Sequence, residues 1–122
     1  MLKVKAACYP FNVYIQICGT KQTVLDKLKK EGIKGIDLVE VPNSAAATYD
    51  VSSNDCLIWM QNPIRTLEDL SILNHEIFHC VVRILRDCGI DLNVSTEEAY
   101  AYLTDYLCLK IYKKLGITLC SM

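Results

Sequence analysis

The stretch Thr66–Cys88, TLEDLSILNHEIFHCVVRILRDC, decides the fold of this chain. Its apolar residues recur every three or four positions, a pattern that predicts a long amphipathic helix. Thr66 or Asn62 can begin this helix, and Gly89 ends it. Winding the stretch on a helix predicts one broad apolar side, which consists of Leu67, Leu70, Leu73, Ile77, Phe78, Val81, Ile84 and Leu85.

A second long helix is predicted toward the C terminus. The residues Ser95–Glu98, STEE, match a capping box in which Glu98 stands three residues after the cap. The helix is expected to run to about Leu115 and to end at Gly116. Because its residues are apolar nearly all round, we expect it to be largely buried.

The first half of the chain is predicted to mix strands with one short helix. Thr20 or Thr23 can cap that helix, which runs to Lys30 before Gly32. Strands are expected at 9–18 and 36–41, and a hairpin at 45–51 and 56–60 with the run LIWM inside the sheet. The order predicts a single α+β domain over residues 1–122, with the helices packed on one side of a small sheet.

Composition excludes several functional classes. The chain has 122 residues, of which 52% are hydrophobic and 22% charged, and its net charge is −1. No basic excess indicates a nucleic-acid partner, and no apolar run is long enough for a membrane span. The N terminus lacks the apolar core of a signal peptide. Seven cysteines without CxxC spacing favour free thiols, so a cytoplasmic location is expected.

The motif HExxH lies inside the first long helix, at His75, Glu76 and His79. Four-residue spacing puts both imidazoles on one side of a helix, where they can bind one zinc ion. Glu76 lies about 100° away round the helix, so it can reach a metal-bound water and act as its general base. These are the only two histidines of the chain. The alternative is that all three residues belong to a solvated helix face, opposite the apolar side.

A third zinc ligand is expected from the last helix, because two ligands hold zinc poorly. Glu97 and Glu98 are the candidates, and Glu98 is preferred because it aligns with Tyr102 and Asp105 on a helix expected to be buried. Asp105 could then bond a histidine's second nitrogen. A capping role for Glu98 and a structural salt bridge for Asp105 are the alternatives.

The two segments HEIFHCVVRILRDCGI and STEEAYAYLTDYL together resemble the gluzincin type of zincin metallopeptidase, and more closely small phage-encoded zincin-like proteins. The similarity covers residues 66–112. It implies a minimal zincin-like domain with His75, His79 and Glu98 as zinc ligands and Glu76 as general base. It also implies that the strand Cys56–Met60 borders the cleft, where an edge strand can hold an extended peptide.

These observations lead to two functional hypotheses. The first is a zinc-dependent peptidase acting on a peptide or protein, with Tyr102 as a candidate oxyanion donor. The second is a non-catalytic phage virion, assembly or host-interaction protein whose metal site is structural or vestigial. Arg86 lies near the face of His79 but is too far along the helix from Glu68 to pair with it, so its partner stays open.

Overall fold

The computed structural model describes residues 1–38 and 45–118, which form an α+β fold with a four-stranded mixed sheet and three helices. This confirms the predicted fold class. The elements are β1 (Leu2–Lys5), β2 (Asn12–Ile17), α1 (Lys21–Lys30), β3 (Ala46–Ser52), β4 (Asp55–Met60), α2 (Leu67–Asp87) and α3 (Glu97–Leu115).

The strand order in the sheet is β1-β2-β4-β3. β2 and β4 are parallel, whereas β1 pairs with β2 and β3 pairs with β4 in antiparallel fashion. The predicted hairpin is therefore confirmed as β3 and β4. The run Leu57–Met60 is buried, as expected for a strand with a neighbour on each side. Within the described residues, β3 is an edge strand.

The helices lie on both faces of the sheet. Alternate β4 residues, such as Cys56 and Ile58, share a core with α2 and α3, whereas Leu57 and Trp59 share a second core with α1. The expectation that all helices pack on one side is therefore wrong for α1. Its buried residues Val24 and Leu28 fill the opposite face, which would otherwise expose the apolar side chains of β4.

The first half also differs from prediction in its strands. β2 begins at Asn12 instead of Tyr9, because the preceding residues form a turn in which the Tyr9 amide donates to the Ala6 carbonyl (3.0 Å). β1 was not predicted. Ile36–Leu38, the described part of the predicted strand at 36–41, is not in a strand, and the rest of that prediction lies outside the described residues.

α2 begins at the predicted cap. Thr66 and Asp69 form a capping box, and the helix ends before Gly89. Two members of the predicted apolar side are nevertheless exposed, Leu67 by 82% and Phe78 by 42%. Their exposure shows that the sheet and α3 together cover less of the helix circumference than its apolar residues occupy.

α3 buries only one of its faces, so the expectation of a largely buried helix is wrong. One face is buried, whereas Tyr102 is 70% exposed. The predicted capping box is also absent, since the cap is Thr96 and its side chain makes no capping bond. Thr96 instead accepts from the Asn93 amide (3.0 Å) in the preceding loop. Neither α3 nor any other helix of the described chain has the length and apolar character to cross a membrane.

Candidate metal centre

The two histidines of α2 converge on one point. The Nε2 atoms of His75 and His79 lie 3.1 Å apart, and both side chains are exposed to solvent. Their rings meet edge to face, with centroids 4.7 Å apart. In this arrangement one imidazole can donate a hydrogen bond to the other, or both nitrogens can bind the same ion.

The spacing of this pair fits a zinc ion. Zn–N bonds of about 2.05 Å at a tetrahedral angle place two ligand nitrogens roughly 3.3 Å apart. The observed 3.1 Å is close to that value. The helix thus places two imidazole nitrogens at about the separation that two ligands of one zinc ion would have.

Glu76 lies on the flank of α2 that faces β3. Its side chain is only 7% exposed, so the alternative of a solvated helix face does not hold for this residue. The Thr48 hydroxyl of β3 donates to Glu76 Oε2 (2.5 Å) and also lies 3.2 Å from the Glu76 carbonyl oxygen. β3 covers this flank of the helix and holds the carboxylate in one orientation.

A groove follows the line between α2 and β3. Its volume is about 810 Å³, and its walls include Thr48, Glu76 and His79. A second depression of about 410 Å³, beside His75, shares Glu76 and Ala46 with the groove. Glu76 therefore stands where the two hollows meet, next to both imidazoles.

The strand that borders this groove is β3, not the predicted Cys56–Met60. Ala46, Ala47 and Thr48 line the groove, whereas β4 lies inside the sheet. The hairpin explains the difference. β3 pairs with β4 on the side away from β2. Although β4 directly precedes α2 in the sequence, β3 therefore forms the edge of the sheet.

Arg83 fixes the far end of the groove. It pairs with Asp50 of β3 and donates from Nε to Asp87 Oδ2 (2.8 Å). It also donates to the Ser52 carbonyl (3.3 Å). This half-buried guanidinium thus binds β3 to α2 and is occupied by partners inside the chain.

α3 lies along the other flank of α2 and runs antiparallel to it. Near its end, the Tyr112 hydroxyl donates to Asn74 Oδ1, next to His75. Burial raises the pKa of Tyr112 to about 12, which keeps this hydroxyl protonated. Near its beginning, the Tyr100 hydroxyl donates to the carbonyl of Ile90 (2.6 Å), which follows the end of α2.

This packing separates Glu98 from the histidines. Glu98 is exposed on the first turn of α3, beside the end of α2 and about two helical turns beyond His79. In residues 1–38 and 45–118, no group of three His, Cys, Asp or Glu side chains could hold a metal. Asp105 and Tyr102 are also exposed and do not line the groove. The structure thus brings together His75, His79 and Glu76, and it does not bring Glu98 to them.

Two residues of the site were missed by sequence reasoning. Thr48 and Asp50 are ordinary polar residues of a predicted strand, and nothing in their spacing indicates contact with Glu76 or Arg83. The available signal was weak. Thr48 and Asp50 lie two and four positions after Ala46, so all three share one face of β3.

Comparison with protein-family models, curated proteins and solved structures finds no match to this chain. The resemblance described above therefore depends on the motif residues themselves.

Proposed function

We propose that this protein is a zinc-dependent peptidase of the zincin type. One observation carries the proposal: two imidazole nitrogens at zinc-binding spacing stand beside a carboxylate that is held in a groove along an edge strand. The described cysteines are free, which fits action in a reducing cytoplasm.

Each residue has a distinct role in this proposal. His75 and His79 would hold the ion, which when bound lowers the pKa of a water molecule and polarises a peptide carbonyl. Glu76 would accept the proton of that water, and Thr48 would keep the carboxylate oriented toward the groove. Glu98, the third ligand that the sequence predicts, is not beside the histidines in this geometry, and it could join them only if the first turn of α3 moved.

β3 would bind the substrate as an extended strand. The Gln61 amide donates to the Ala45 carbonyl (2.8 Å), which sets the alternation of the β3–β4 ladder. By that alternation, the backbone groups of Thr48 and Asp50 face away from β4. They can pair with a peptide laid along the groove, parallel to the line from His79 to Arg83.

The second candidate function is a structural metal protein in a viral or host assembly. The observation in its favour is that the described residues offer two ligands and no third. If other chains of the assembly filled the remaining positions, the ion would have no water for Glu76 to act on.

Glu76→Gln tests the peptidase. The change keeps the size of the side chain and its bond to Thr48 but removes the basic oxygen. We expect unchanged zinc content, an unchanged thermal midpoint and at least a hundredfold loss of cleavage of a mixed peptide library. Glu31→Gln is the matched control, because Glu31 follows α1 on the other face of the sheet.

Cleavage by the Glu76→Gln protein at the rate of the parent would overturn the assignment of the base. Loss of zinc from that variant would show that Glu76 is a ligand instead. A zinc-loaded parent that cleaves no peptide would support the structural alternative.

A further inference from the structure

The side of α2 that faces away from the sheet carries a regular row of residues, which we call the outer row. Its members are successively four, three, four, three and four positions apart, the spacing by which one helix packs against another. All are exposed or half-buried. The outer row consists of Glu68, Ile72, His75, His79, Val82 and Arg86.

The outer row reads the same in both directions by chemical type. From either end, the row has a charged residue first, then an aliphatic residue and then a histidine. Its midpoint along the helix is at the position of Ile77. A two-fold axis at that level would lay α2 of one copy antiparallel on α2 of another. Ile72 of each copy would then face Val82 of the other, and His75 would face His79.

The charges at the two ends of the outer row are complementary. Glu68 and Arg86 are 18 residues apart on one helix, which separates them by about 27 Å, so they cannot pair within a chain. Neither forms an ion pair with any described residue. The same two-fold axis would bring Glu68 of each copy to Arg86 of the other, and both charges would gain a partner.

The zinc ligands are incomplete in the same way. One chain offers two imidazoles at zinc-binding distance, whereas a closed zinc site has four ligands. Two chains in this arrangement would offer four. We propose that two copies of this protein pair antiparallel through the outer rows of α2 and share one zinc ion between His75 and His79 of both copies.

This proposal rests on the zinc-binding part of the proposed function, because the same two histidines bind the metal in both. The two states differ in what the ion can do. Four imidazoles leave no position for water, so the dimer is a closed form, and only the separated chain leaves Glu76 and its groove available.

Native mass spectrometry of the metal-free protein titrated with zinc sulfate tests the shared site. We expect a dimer that appears with zinc and contains one ion per two chains, and that is lost on chelation. His79→Ala should remain a monomer at every zinc concentration. A dimer that forms equally well without zinc would overturn the shared site.

Charge reversal tests the antiparallel register without altering the metal ligands. Glu68→Arg alone and Arg86→Glu alone each place like charges together twice, and each should weaken the zinc-dependent dimer about tenfold. Mixing the two variants should restore a dimer with one chain of each. Lys29→Glu, an exposed change on α1, is the control and should have no effect.

The possible failures are separable. A monomer with one zinc per chain whose peptide cleavage depends on Glu76 would overturn the shared site and leave the proposed peptidase standing. A monomer that binds no zinc would overturn both. A zinc-dependent dimer that is insensitive to either charge reversal would overturn the antiparallel pairing.

Discussion

The two flanks of α2 differ in what they contribute to the candidate site. On the β3 flank, Thr48 bonds the Glu76 carboxylate and a groove passes both Glu76 and His79. On the α3 flank, Tyr112 bonds Asn74 and Tyr100 bonds Ile90, and no acidic side chain of the described part of α3 joins the histidines. The polar surroundings of the motif are therefore provided by β3, although the sequence predicts that α3 supplies them.

This difference has a geometric cause. Within one helix, 100° and 1.5 Å per residue fix the positions of side chains, so the pairing of His75 and His79 could be predicted from spacing alone. The position of a residue of one helix relative to another helix depends on where the connecting loop places the second helix. α2 continues for two turns beyond His79 before the chain reverses, which carries the first turn of α3 away from the histidines.

The largest expected effect comes from His79→Ala, which breaks the pair itself. One imidazole cannot hold zinc in the way that two do, so zinc affinity should fall at least a hundredfold. Isothermal titration calorimetry with zinc measures the change, with Ser71→Ala as the control one turn before His75. Retained affinity in His79→Ala would show that the ion binds elsewhere.

Much of the fold could be predicted from local signals. Thr66, Gly89 and Gly116 mark helix ends through capping and left-handed backbone, and the chain obeys these signals. The turn at 52–55 likewise fixed the hairpin. The position of α1 could not be predicted in this way, because its side of the sheet depends on which face of β4 still lacks a cover.

The burial of Glu76 was unpredictable for a related reason. Helical periodicity places Glu76 near the histidines on the polar side of α2, where a solvated position would be the ordinary expectation. β3, which is distant in sequence, covers that part of the helix surface and buries the carboxylate. Thr48 is 28 residues away in sequence, and no short-range pattern links the two.

Thr48→Val tests what the β3 flank contributes to the site. The change keeps the shape of the side chain but leaves the buried carboxylate without its donor, at a cost of about 1–3 kcal/mol. We expect a thermal midpoint lower by several degrees and peptide cleavage reduced about tenfold, with zinc affinity unchanged.

Tyr112→Phe is the matched control, because it also removes one hydroxyl from a bond to α2, on the other flank. It should lower stability while leaving the cleavage rate per folded molecule unchanged. An equal loss of cleavage in both variants would mean that general destabilisation, not the orientation of Glu76, explains the effect.

The smallest effect is expected from Glu98→Ala. The sequence predicts Glu98 as the third ligand, a role in which its loss should weaken zinc binding tenfold or more. In the structure its first-turn position is held beside the end of α2 by the bond from Tyr100 to Ile90. On that geometry the zinc affinity of Glu98→Ala should stay within about threefold of the parent. Glu97→Ala, a neighbouring carboxylate on the same turn, is the comparison. A tenfold loss confined to Glu98→Ala would show that α3 moves toward the histidines when the metal binds, and the two flanks of α2 would then share the site.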